Sequence, residues 1–253
     1  MRQVLSFARL FLFSPSKAAE ACERPDALRL GLTIYAVLMP LQLASAWFNP
    51  LSFLDPNAPV AAGYGAMFWL RVALWQPVIF SLSVFFLVVT LEWLRSGSLP
   101  VRMATTAAWA AVPLGIAAYY APQDSLPRPV FILVLAAWLA PAVLVARRVP
   151  ADRWRKIATF MLGLCALQLV VLVLEYLTVV PARSYRGFVA FSLLSVVWLL
   201  SVASAGLRRA VGMPTPRVVL GFLLATIVIL VVPALAFLLG LMPKEVLKVV
   251  IYV

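Results

Sequence analysis

The chain contains no histidine. That removes the commonest metal ligand and the commonest general base from any proposed chemistry. Cysteine is nearly absent as well. Cys22 precedes the first long apolar run and Cys165 lies inside a later one, so the two are expected at different depths and unbridged. Cys22 reads as an ordinary buried thiol, with acylation near a bilayer as the alternative. Acidic residues number only nine against 21 Lys and Arg. No cysteine cluster, phosphate loop or Asp-rich metal spacing occurs, so no catalytic set, metal site or cofactor is expected. No polar connection is long enough to hold an extramembrane domain.

Charge of either sign is scarce. Charged residues are 12% of the chain and apolar ones 64%, whereas soluble domains carry about 25% charged and 45–50% apolar residues. Such a chain lacks the polar surface to cover a water-exposed fold, which makes lipid the solvent for most of it. The net charge of +12 does not point to nucleic acid, because the bases fall in short stretches between apolar runs.

Seven apolar runs reach spanning length, near 28–48, 66–94, 103–121, 129–146, 157–180, 187–207 and 217–241. In hydrocarbon each backbone polar group needs a partner within its own segment, so the runs are expected to be helices. The predicted fold is an all-α, polytopic transmembrane helical bundle over residues 28–253, preceded by a cytoplasmic N-terminal porch over residues 1–27. Fifteen of the 21 bases fall on one side of the seven runs, five on the other, and Arg71 lies inside a run. Basic loops stay in the cytoplasm. The expected topology is therefore a multi-pass protein of the cytoplasmic (inner) cell membrane, with the N-terminus inside and the C-terminus outside. The loop 49–65 has no base, as an external loop should.

A signal peptide needs an unbroken apolar core, and Arg9 interrupts VLSFARLFLF. Residues 3–13 read instead as an interfacial helix, with Leu5, Leu10, Phe11 and Phe13 entering lipid and Arg2 and Arg9 reaching headgroups. Ser14 then caps a second helix with Pro15 in its first position, running to about Arg24 before Pro25; Asp26 caps the first span.

Ionisable groups inside lipid cost a few kcal/mol each and usually mark a paired or functional site. Arg71 and Glu175 fall at similar predicted depth. They are expected to pair, or to share a polar pocket with Gln42 and Gln76; Gln168 extends a possible polar route. Glu92 lies near the cytoplasmic end of its run, within reach of Arg95 or Arg102. The bland reading for the three charges is snorkelling to the interface. Prolines 40, 77, 113, 141 and 233 interrupt the runs, either as kinks along a transport path or as prolines that membrane helices tolerate. ARRVPADRWRK, residues 146–156, places Arg147, Arg148, Arg153, Arg155 and Lys156 together as a candidate headgroup- or partner-binding group, or as orientation charges alone. The Ala-rich third run, ATTAAWAAVPLGIAAYYA, and SVASAGL at the end of the sixth are packing faces for helices of this chain or of another. Trp47, Trp69, Trp93, Trp154, Tyr119 and Tyr120 are placed as an aromatic belt.

The stretch RLFLFSPSKAAEACERPDALRLGL, residues 9–32, resembles the bacterial branch of the Yip1-domain family. The resemblance implies a small integral membrane protein with a cytoplasmic N-terminus, from a family whose eukaryotic members serve vesicle trafficking with small GTPases. That family usually has five spans, against seven here. It carries no catalytic residues over and implies scaffold or adaptor work. The expected function is accordingly a non-enzymatic scaffold or accessory subunit, partnered by the lipid bilayer and by other membrane subunits, with no nucleic acid. The alternative is a transporter or permease component; a lipid-modifying enzyme is disfavoured by the lack of clustered polar residues.

Overall fold

The computed structural model describes residues 2–48, 63–120 and 128–252. The described residues form ten helices and no strand: α1 Arg2–Phe13, α2 Pro15–Ala21, α3 Ala27–Phe48, α4 Ala66–Arg95, α5 Leu99–Tyr120, α6 Arg128–Ala146, α7 Ala151–Ala182, α8 Tyr185–Val211, α9 Thr215–Leu238 and α10 Lys244–Tyr252. Seven of them, α3 to α9, are long and apolar enough to cross a membrane. The chain is thus an all-α, multi-pass membrane protein. Residues 49–62 of the base-free loop, and Ala121 at the end of the third predicted run, lie outside the described residues.

Several boundaries differ from the sequence reading: α5 begins at Leu99 rather than 103, and α8 runs from Tyr185 to Val211 rather than 187–207. Helix α7 starts at Ala151, six residues before its apolar run, because ADRWRK is polar yet helix-competent. Its far end reaches Ala182, and Arg183 then turns the chain with a φ of 44°. Helix α9 stops at Leu238, short of the predicted 241. Helix α2 ends at Ala21 rather than Arg24. Helix α10 was not foreseen, since nine residues are too few for a span; its buried Val246, Val249 and Val250 lie opposite exposed Lys244, Glu245 and Lys248.

The chain divides into two compact units. One takes residues up to Trp69 together with Asp152–Thr215, and the other takes Leu70–Ala151 with Pro216–Tyr252. In the first unit, α1 packs on α2 and α3, and α2 lies along α8. Its core is concentrated next to the porch: Ile157 to Leu167 of α7, Val202 to Leu207 of α8, and Gly31, Ile34 and Leu38 of α3. Past Leu167 only Val179 of α7 is buried, and no residue of α8 before Val202 is.

In the second unit the core runs from Val84 to Leu94 of α4 and along α9. The two helices meet where the buried Thr90 hydroxyl donates to the Gly221 carbonyl at 2.9 Å. A methyl group on Gly221 would come 2.9 Å from Leu91 Cδ2, so the absence of a side chain sets this distance. Helix α5 pairs with α6 through Trp109 and Trp138. Each indole Nε1–H donates to the other's backbone carbonyl at 3.0 Å, and the rings stack with centroids 5.1 Å apart. A buried indole N–H without a partner would be costly in lipid, and this reciprocal arrangement satisfies both. Arg217 of α9 donates to the carbonyls of Leu94, Arg95 and Gly97 at 2.7–2.8 Å, closing the C-terminus of α4 with a cation.

Candidate functional site

The porch is built from a short aromatic helix and a shorter alanine helix. In α1, Phe7 and Phe11 point inward, with their rings 5.2 Å apart. This corrects the reading that Phe11 enters lipid: its ring meets Phe160 of α7 at 5.2 Å. It also lies on Gly163, where any Cβ would overlap it. The repeated apolar residues of LFLF occupy both sides of a helix, so sequence alone does not reveal which aromatic faces protein. Leu5 and Phe13 do point outward, as expected.

Pro15 occupies the first position of α2, where its missing N–H leaves nothing unsatisfied. Ser14 caps with its backbone carbonyl, which accepts from Ala18 N–H at 2.9 Å; its side chain makes no cap bond. Ala18, Ala19 and Ala21 are buried against the small-residue segment of α8. Gly206 of that segment sits so close to the Phe160 ring that a Cβ there would overlap it, and it would lie 3.2 Å from the Pro15 carbonyl. The sequence motif SVASAGL therefore packs within the chain, against the chain's own porch.

Ion pairs fasten the rim of this contact. Glu23 Oε1 accepts from Lys156 Nζ at 2.8 Å, and Glu20 Oε1 lies 3.1 Å from Arg209 Nη2. Arg155 donates to the Pro25 carbonyl at 3.1 Å. The Lys156 hydrogen bond and charge hold the Glu23 carboxyl below its ordinary range. Burial, with a smaller contribution from the Glu23 charge, pushes the Cys22 thiol up to about 12, so it stays protonated and poorly nucleophilic.

The group predicted within residues 146–156 is thereby divided by role. Arg155 and Lys156 hold the porch. Arg153 is half-buried, and Arg147 and Arg148 are exposed in the other unit. Glu92 meets Arg95 at 3.1 Å, as their spacing suggests. Arg71 belongs to one unit and Glu175 to the other. Arg71 is exposed; Glu175 and Gln42 are half-buried; Gln168 is exposed on α7. Gln76 is half-buried on α4, and its amide nitrogen has no hydrogen-bond partner among the described residues.

One feature escaped sequence reading, and a second gives a direction to a packing face the sequence offered only as composition. Trp47 and Trp69 sit 5.2 Å apart and, with Leu43, Ala44, Phe48 and Ala66, line an apolar cavity of about 620 Å³. The second is the outward face of α5. Thr106, Ala110, Pro113 and Ile116 face inward, whereas Ala104, Ala108, Ala111, Gly115 and Ala118 are all exposed. Their spacing of four, three, four and three residues is a heptad seam of small side chains. A Cβ on Gly115 would meet nothing within 4 Å. Among the described residues no group of three or more Cys, Asp or Glu is placed to hold a metal ion.

No model of a known protein family, no curated protein and no solved structure matches this chain.

Proposed function

We propose that the chain is a non-enzymatic scaffold or accessory subunit of a membrane complex, Yip1-like in its N-terminal stretch. The exposed small-residue seam on α5 carries this reading. Lipid tails are as apolar as leucine and give helices no hydrophobic drive to associate, while small residues let a second helix backbone approach closely. A seam of five such residues, turned away from its own unit's core, suits the helix of another subunit. The porch then serves as a rigid platform at the basic ends of the helices. The fifteen-to-five partition of bases supports placing the porch in the cytoplasm and the C-terminus outside a bacterial inner membrane.

The test is extraction in mild detergent with companions intact. Ala111→Leu or Gly115→Leu should release the chain from co-purifying subunits while its own thermal stability holds. Unchanged companions in both variants would remove the seam from the interface.

A transporter component is the second reading, favoured by the unpartnered amide of Gln76. It requires that cysteines placed at Gln76, Gln168 and Glu175 react with a water-soluble thiol reagent. Silence at all three positions counts against it.

A further inference from the structure

The outward face of α1 belongs to neither the porch contact nor the α5 seam. Arg2, Leu5, Arg9 and Phe13 are all exposed. At 100° per residue they fall within about 80° of arc. The inward side, Phe7 and Phe11, is fully used. Leu5 is 64% exposed and Phe13 75%, large apolar side chains on the same arc as Arg2 and Arg9. Helix α1 contains no acidic residue.

The depth of this face follows from what holds it. Phe11 rests on Gly163, six residues beyond Ile157, where the apolar run of α7 begins. At 1.5 Å per residue that is about 9 Å below the first apolar turn, within the 5–10 Å that interfacial helices reach into the headgroup–acyl boundary. With Phe11 anchored there, Leu5 and Phe13 on the outward arc are placed to meet acyl chains. Arg2 and Arg9 have long stems that return their charges to the phosphate layer.

We infer that α1 is an anionic-lipid-binding helix: Leu5 and Phe13 insert into the inner leaflet, and Arg2 and Arg9 bind phosphates of negatively charged phospholipid headgroups. Charge complementarity commits the face to anionic rather than zwitterionic lipid, because no carboxylate on α1 competes for its two arginines. Each base near an anionic surface enriches such lipid roughly fivefold. The role goes beyond the scaffold reading and stands without it.

The experiment uses the full chain with Ser6→Cys, an exposed position on the same face, carrying an environment-sensitive fluorophore. Cys22 and Cys165 are buried and compete poorly for the label. The labelled protein is reconstituted in phosphatidylcholine vesicles with equal mole fractions of acyl-brominated phosphatidylglycerol or acyl-brominated phosphatidylcholine. The anionic quencher should be roughly five to 25 times more effective, one fivefold factor for each arginine that engages. Arg2→Gln with Arg9→Gln should bring the two quenchers level, and Leu5→Ser with Phe13→Ser should weaken both. Equal quenching by both lipids in the parent protein, or a preference that survives loss of both arginines, overturns the proposal. Absence of quenching by either lipid overturns it too, since the face would then lie in water or against protein.

Discussion

Two segments of this chain are rich in small residues, and they are used in opposite ways. On α8, Ala203 and Gly206 are buried in the contact with α2, Gly206 against the Phe160 ring and the Pro15 carbonyl. On α5, Ala104, Ala108, Ala111, Gly115 and Ala118 are exposed among the described residues. Small residues do not attract by themselves. They remove the side chains that would hold two backbones apart, and the gain comes only from what then fills the space. Among the described residues the chain supplies that filling for α8 and leaves the α5 seam exposed, so composition alone does not separate the two uses.

The largest expected effect breaks the filled face. Gly206→Leu forces a branched side chain into the Phe160 ring and the Pro15 carbonyl, and overpacking of this kind costs about 2–3 kcal/mol. Thermal unfolding of the purified chain in detergent measures it. Thr90→Val is next. It keeps the volume but leaves the Gly221 carbonyl without its interhelical donor, at a cost of about 1 kcal/mol, the range found for such bonds in membranes. Gly115→Leu, on the open face, should change the chain's own stability by less than about 0.5 kcal/mol, as substitutions away from packed features do. Should Gly115→Leu destabilise the isolated chain as much as Gly206→Leu, the contrast between the faces is gone.

The smallest effect belongs to the rim of the porch. Glu23 is held below its ordinary pKa of 4.5 by Lys156, so the pair's contribution is present above that value and lost as pH falls through the lowered one. Glu23→Gln should abolish this acid-side loss and little else, read as a flatter dependence of unfolding temperature on pH below about 4.5. Salt should erase the same contribution, because the pair is exposed.

Much of the fold was legible because hydropathy over twenty residues is a strong signal and a helix is the only open-chain solution in lipid. The run predicted at 28–48 is α3, Ala27–Phe48, and that at 129–146 is α6, Arg128–Ala146. The polar start of α7 and the nine residues of α10 fall outside any hydropathy window. Pairing was legible only where it is local. Glu92 and Arg95 are three residues apart, whereas Glu23 and Lys156 are separated by 133 and Glu20 and Arg209 by 189. The depth ranking that matched Arg71 with Glu175 rests on height along the runs alone; Arg71 belongs to one compact unit and Glu175 to the other. For the same reason the α5 seam was visible as composition and not as a face: its outward direction is fixed by the Trp109–Trp138 pairing on the other side of the helix.

The mass of the particle released from native membranes by mild detergent tests the account most directly. An occupied α5 seam predicts a complex heavier than the 27.7 kDa chain, collapsing toward that mass when Ala111 or Gly115 becomes leucine. A parent protein that emerges as a bare 27.7 kDa monomer, stable and without companions, would contradict it.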